Sequence, residues 1–144
     1  MFCPLKQTSL LNINPMDPNK REVEFWVSED GKNPVGEFIE NLENPKAQKK
    51  ILTTLGYCET FEITQLYRAE ILEKINYRGN VLYEVRILFN KIAYRIICVI
   101  RGATIWLLHA IIKKRDKIPP HELEVAQNRA NNLDRRLALG MAMA

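Results

Sequence analysis

Only two histidines and three cysteines occur in the 144 residues, and what this scarcity excludes is the first guide to function. His109 and His121 stand apart, so the H-E-x-x-H pattern of zinc peptidases cannot form. Cys3, Cys58 and Cys98 are odd in number, widely spaced and without a C-x-x-C pair. That argues against a zinc ribbon and a disulfide framework, and for a reducing compartment. Neither G-x-x-x-x-G-K-[ST] nor G-x-G-x-x-G is present, which removes the best-known phosphate-cradling loops. No apolar run approaches the roughly 18 residues of a membrane span. The opening MFCPLKQTSLLNINPMDPNK also lacks the continuous apolar core of a signal peptide. A cytoplasmic protein that needs no cofactor and no metal is expected.

What remains is ordinary in amount and uneven in placement. Hydrophobic residues make up 47% and charged residues 26%, enough for one domain with a real core. The net charge of +4 and pI near 9.0 hint at an anionic partner, a hint that matters only if the charge gathers on one face. Residues 1–20, with three prolines and three asparagines, read as a flexible arm, 21–137 as the folded domain and 138–144 as a tail.

Inside the domain the apolar pattern changes period several times. Val23, Phe25 and Val27 alternate with polar neighbours, as in a strand with one buried face. Asn33-Pro34 and Asn44-Pro45 each look like an N-cap followed by proline in the first helical turn. Val35, Phe38, Ile39 and Leu42 then recur at helical spacing, as do Ala47, Ile51, Leu55 and Cys58. Residues 61–80 carry little pattern and read as an irregular connection, with a short extended piece around Leu72 to Ile75. Three strands follow, Val81 to Leu88, Ile92 to Ile100 and Ala103 to Ile112, joined by turns short enough to force an antiparallel meander. A last helix opens at Pro119-Pro120 with a stripe of Leu123, Ala126, Ala130, Leu133 and Leu137. The expected fold is α+β, a small antiparallel sheet in β-α-α-β-β-β-α order with helices packed on it.

Two strands of the meander are interrupted by arginine. Alternation puts Leu82, Glu84, Arg86 and Leu88 on one face of the first, and Lys91, Ala93, Arg95, Ile97 and Val99 on one face of the second. An arginine in mid-sheet is costly unless paired or wet, and Glu84 is available to serve one of them. The third strand runs into KKRDK, where Lys113 and Lys114 emerge beside the strand that carries Arg95. Cations from three neighbouring strands would then converge on one surface, which suits a phosphate backbone. Cys98 and His109, both inside apolar runs, read as core residues. His121, in the first turn of the last helix near the lysines, is a candidate for proton transfer. No two carboxylates are placed for paired acid–base work.

The series LYEVRI, AYRII and LLHAIIKKRDKIPPHELEVAQNRA, with VEFWVSEDGKNPVGEFIENL before it, resembles the RelE/HigB superfamily of bacterial toxins. It is most similar to the phage-derived, HigB-type branch, from about Glu22 to Leu133. The resemblance implies a RelE-like fold and a toxin of a toxin–antitoxin system that cleaves messenger RNA in the ribosomal decoding site. It also implies a helix-turn-helix antitoxin of the HigA kind as partner. Carried onto this chain, Arg95 would contact the scissile phosphate, Arg86 would be a second basic position, and Lys113 and Lys114 the basic pair after the last strand. Lys74 resembles a lysine that precedes the meander, and Arg78, Lys91, Arg115 and Lys117 complete the expected RNA-binding set. RelE members use a tyrosine near the chain end; none follows Tyr94 here, so His121 is the nearest substitute. Glu84 stands where some relatives place a lysine. Arg95→Ala is expected to lower cleavage by about 100- to 1,000-fold with the fold unchanged. Two alternatives stand beside the nuclease: a ParE-like toxin that binds DNA gyrase without catalysis, and an inactive prophage remnant that binds only its antitoxin.

Overall fold

The structure, a computed structural model, describes residues 21–113 and 117–140. The first strand, β1 (Glu22–Phe25), buries Val23 and Phe25 and exposes Glu22, as its alternation predicts. Helices α1 (Pro34–Glu40) and α2 (Pro45–Thr60) begin at the two asparagine caps. Asn33 Oδ1 accepts from Gly36 N at 3.0 Å, and Asn44 Oδ1 from Lys46 N at 2.9 Å. Each satisfies amides that the first helical turn leaves unbonded.

The stretch read as irregular contains a helix, α3 (Ile63–Arg68), and a full strand, β2 (Leu72–Tyr77). Both escape periodicity for physical reasons. Helix α3 has six residues and buries only Leu66. Strand β2 buries its two ends, Leu72 and Tyr77, which are of opposite parity and pack on opposite faces of the sheet. The remaining elements are β3 (Asn80–Phe89), β4 (Ile92–Arg101), β5 (Thr104–Lys113) and α4 (Pro120–Ala138). Two hairpin turns, Arg78-Gly79 and Asn90-Lys91, hold both residues at positive φ, the backbone twist that fits a two-residue link between strands.

The sheet has the order β1-β5-β4-β3-β2 and is mixed, not wholly antiparallel. The meander is antiparallel as expected, but β1 lies parallel to β5, with Val23 opposite Ile105 and Phe25 opposite Leu107. Everything between β1 and β5 forms the crossover that a parallel pair requires. The observed order is therefore β-α-α-α-β-β-β-β-α.

Each face of the sheet is buried. Val85, Ile87, Tyr94, Ile96, Cys98, Ile105 and Leu107 pack under α1, α2 and α3. Leu82, Ile97, Val99, Trp106 and Leu108 pack under Ala126, Ala130 and Leu133 of α4. Leu137, assigned to that apolar stripe, is exposed, whereas Arg136 is buried and donates to Val27 O at 2.7 Å. Among the described residues no helix is long and apolar enough to cross a membrane. The arm and the end of the tail lie outside the described residues.

Candidate functional site

Strand register brings the mid-sheet charges together on the face that α4 covers. Arg86 of β3 stands directly opposite Arg95 of β4, and Glu73 of β2 directly opposite Glu84 of β3. Side chains so placed lie about 5 Å apart at Cβ, and like charges there repel. Here an acid pair and a basic pair occupy neighbouring rows and neutralise each other on the diagonal. Glu84 Oε2 meets Arg95 Nη1 at 2.9 Å, while its Oε1 lies 3.7 Å from Arg86 Nη2. Glu73 Oε2 reaches the same Arg86 nitrogen at 3.3 Å. One carboxylate thus serves both arginines.

The two arginines differ sharply in access. The Arg95 side chain is 6% exposed and that of Glu84 2%, against 36% for Arg86. Arg95 and Glu84 form part of the wall of a cavity of about 250 Å³ closed by Glu73, Ile75, Lys117, Ile118 and Leu123. Arg86 borders a second cavity, of about 470 Å³, with Tyr67, Glu70, Leu72 and Glu73. Glu73 is common to both. Burial holds the Tyr67 phenol above its ordinary pKa, and neighbouring Tyr83 adds to this, so it is a hydrogen-bond donor at neutral pH.

This geometry bears on one expectation. Arg95→Ala, expected to leave the fold unchanged, would leave the buried Glu84 carboxylate with Arg86, 3.7 Å away, as its remaining cation among the described residues. Breaking a buried pair on one side costs about 3–5 kcal/mol.

The other sequence-assigned residues are scattered. Lys113 ends β5 opposite Ala93, next to the β4 segment that carries Arg95, and Lys117 lines the smaller cavity. Lys114 and Arg115 lie outside the described residues. Lys91 occupies the β3–β4 turn, at the end of the hairpin nearer the arginines. Arg78 is at the opposite end, over the Tyr77 ring at 5.2 Å and 3.6 Å from Glu124. Lys74 is exposed on β2, and alternation sends it to the face opposite Glu73. His121 is exposed, with Nε2 3.7 Å from Glu122 Oε1.

His109 is far better ordered by contacts than His121. Its Nε2 meets Glu122 Oε1 at 3.0 Å and its Nδ1 meets Arg129 Nη1 at 3.2 Å. Arginine only donates, so Nδ1 accepts and Nε2 carries the proton toward the carboxylate. Arg129 Nη1 also bonds Leu108 O at 2.7 Å, and the guanidinium lies over Trp26 at 5.2 Å. Burial lowers the Arg129 pKa from its usual height. With both nitrogens engaged, His109 is a bonded, half-buried residue that ties β5 to α4 across the basic loop. Glu73 carried no sequence signal, since its role depends on β2 being a strand in register with β3.

No curated protein matches the chain. The family described as phage derived protein Gp49-like (DUF891) matches residues 37–131, from α1 to well into α4, a span that includes Glu73, Glu84, both arginines, His109 and Glu122. With two thirds of its length accounted for in this way, the chain belongs to the phage-derived Gp49-like family.

Proposed function

We propose that this protein is the toxin of a toxin–antitoxin system, of the RelE/HigB type, and that it cleaves messenger RNA on the ribosome without a metal. One observation carries the proposal: two arginines directly opposed on the central strands, at adjoining cavities, with lysines at the end of β5 and in the segment after it. Membership of a phage-derived family and the motif resemblance support it. A helix-turn-helix antitoxin would be the partner, and the ribosome would present the substrate.

In this chemistry the ribose 2′-oxygen attacks the adjacent phosphorus, the bond from phosphorus to the 5′-oxygen breaks, and a 2′,3′-cyclic phosphate and a 5′-hydroxyl result. The 2′-OH proton passes to a base and the leaving 5′-oxygen takes one from an acid. Positioning and charge stabilisation dominate such a step. Arg86, the accessible guanidinium, would hold non-bridging oxygens in its planar fork. Arg95 would act from beneath, keeping Glu84 and hence Arg86 in place. A lysine ammonium, Lys113 or Lys114, would neutralise developing charge, and His121, exposed beside Glu122, would move a proton. Lys117, Lys91, Lys74, Arg78 and Arg115 would add backbone contacts.

Purified ribosomes programmed with a defined message test this. The wild-type chain should cut in the decoding site, and Arg86→Ala should cut about 100- to 1,000-fold more slowly while melting as a folded protein. An intact message in the presence of folded wild-type protein overturns the proposal.

The burial of Arg95 against Glu84 favours a second function, because a guanidinium so enclosed looks more like a core ion pair than a phosphate ligand. The chain would then act by binding alone, as a ParE-like gyrase poison or as an inactive remnant held by its antitoxin. Inhibited supercoiling with intact message marks the first, and neither effect marks the second.

A further inference from the structure

Glu73 was no part of the expected site, yet among the described residues it is the one charged side chain that lines both cavities. Its carboxylate touches Arg86 at Nη2, 3.3 Å away, the nitrogen that Glu84 also approaches at 3.7 Å. Arg86 Nε, by contrast, is shielded from water and has no acceptor among the described residues. A buried N–H left without an acceptor is costly. An oxyanion seated side-on, across Nε and Nη2 together, would remove that cost, and guanidinium is built for such two-point contact. Glu73 supplies one of the two points only.

The surroundings make the present arrangement easy to exchange. The Glu73 side chain is 63% exposed, so its ion pair with Arg86 is screened and weak. With two carboxylates, Glu70 and Glu73, set against the single guanidinium of Arg86, the lining of the larger cavity disfavours a second anion while Glu73 is in place. Tyr67, partly exposed, offers an aromatic wall and a protonated hydroxyl in the same space.

We infer that Glu73 is a built-in competitor: it occupies the oxyanion position on Arg86, and a phosphodiester of single-stranded RNA must displace it to gain the side-on contact. The choice of phosphodiester rests on the RNA-directed function proposed above. The position itself follows from the carboxylate, the half-used guanidinium and the shared wall. In the occupied state Glu73 would swing outward, the non-bridging oxygens would take Nε and Nη2, and Glu84 would stay with Arg95. The competitor sets affinity and leaves the fold alone.

The test uses a fluorescein-labelled, 2′-O-methyl RNA pentamer, which binds but cannot be cut, titrated against the full chain by fluorescence anisotropy. Glu73→Gln should bind about fivefold more tightly, the gain expected when an exposed ion pair is no longer in the way. Glu70→Gln removes the same charge from the same cavity without touching Arg86, and should gain clearly less. In the double variant Glu73→Gln/Arg86→Gln the gain should vanish. Unchanged or weaker binding by Glu73→Gln overturns the inference, as do an equal gain from Glu70→Gln, a gain that survives loss of Arg86, or no binding by any of the proteins. Message cleavage on ribosomes, measured on the same preparations, reports separately on function. Tighter pentamer binding by Glu73→Gln with no cleavage by wild type would leave this inference standing and remove the nuclease.

Discussion

Arg86 and Arg95 face each other across β3 and β4, and the buried carboxylate of Glu84, two residues before Arg86 on β3 and diagonal to Arg95, approaches both. Two cations at cross-strand distance repel, and that acid offsets the repulsion, with Glu73 adding a second carboxylate on Arg86. Structure and site are therefore the same set of atoms.

Glu84→Ala should destabilise the chain by about 3–5 kcal/mol, since it takes from a buried guanidinium the carboxylate 2.9 Å away. Urea unfolding at neutral pH checks this. Exchanging both partners for apolar residues, Glu84→Leu with Arg95→Met, should restore much of the loss, because the desolvation of both charges disappears with them. A double mutant as unstable as Glu84→Ala would show that the pair does more than neutralise itself.

Arg129→Ala should cost about 2–3 kcal/mol. The change removes a charge-assisted bond to the Leu108 carbonyl, a donor to His109 and the cation over Trp26. Arg129→Lys should recover little, because an ammonium cannot span three partners with a flat fork. Thermal melts of the two variants beside wild type decide it.

Cys58 gives a pH dependence with a definite sign. Burial pushes its thiol up to about 12, whereas an unfolded cysteine ionises near 8.5. A group whose folded pKa is the higher contributes fully below the unfolded value and loses that contribution as pH rises toward the folded one. Stability should thus fall between roughly pH 8.5 and 12 by up to about 1.4 kcal/mol per pH unit from this residue. Cys98, fully buried, is pushed the same way, chiefly by desolvation. Cys58→Ser should flatten part of the slope in urea midpoints taken at pH 8 and pH 10.5. Neither thiol should react with a disulfide reagent until the protein unfolds.

Glu70→Gly should raise stability by roughly 0.5–1 kcal/mol. Glu70 follows the last turn of α3 at φ +58°, in the left-handed conformation that glycine adopts without strain. Ile71 N returns to Leu66 O at 3.0 Å, the bond that closes this kind of helix end. A melting temperature lower than wild type would mean that the carboxylate itself supports the turn.

Much of this molecule could be read directly from the chain. The N-P caps, the alternation of β1 and the meander, and the apolar stripe of α4 are local patterns whose meaning does not depend on what lies across from them. Parity alone put Arg86 with Glu84 and Arg95 with Ile97. Parity cannot say which residue on the next strand stands opposite, and that is what made Arg86 face Arg95 and Glu73 face Glu84. Nor could any local pattern show β1 joining β5 from the far edge, since that contact spans most of the domain. The types and periods of residues determined helices, strands and the face each charge would occupy, because backbone geometry repeats every few residues. Which charges became partners, which arginine stayed within reach of solvent, and which carboxylate came to sit between two cavities were decided by register and packing, which act between residues distant in the chain.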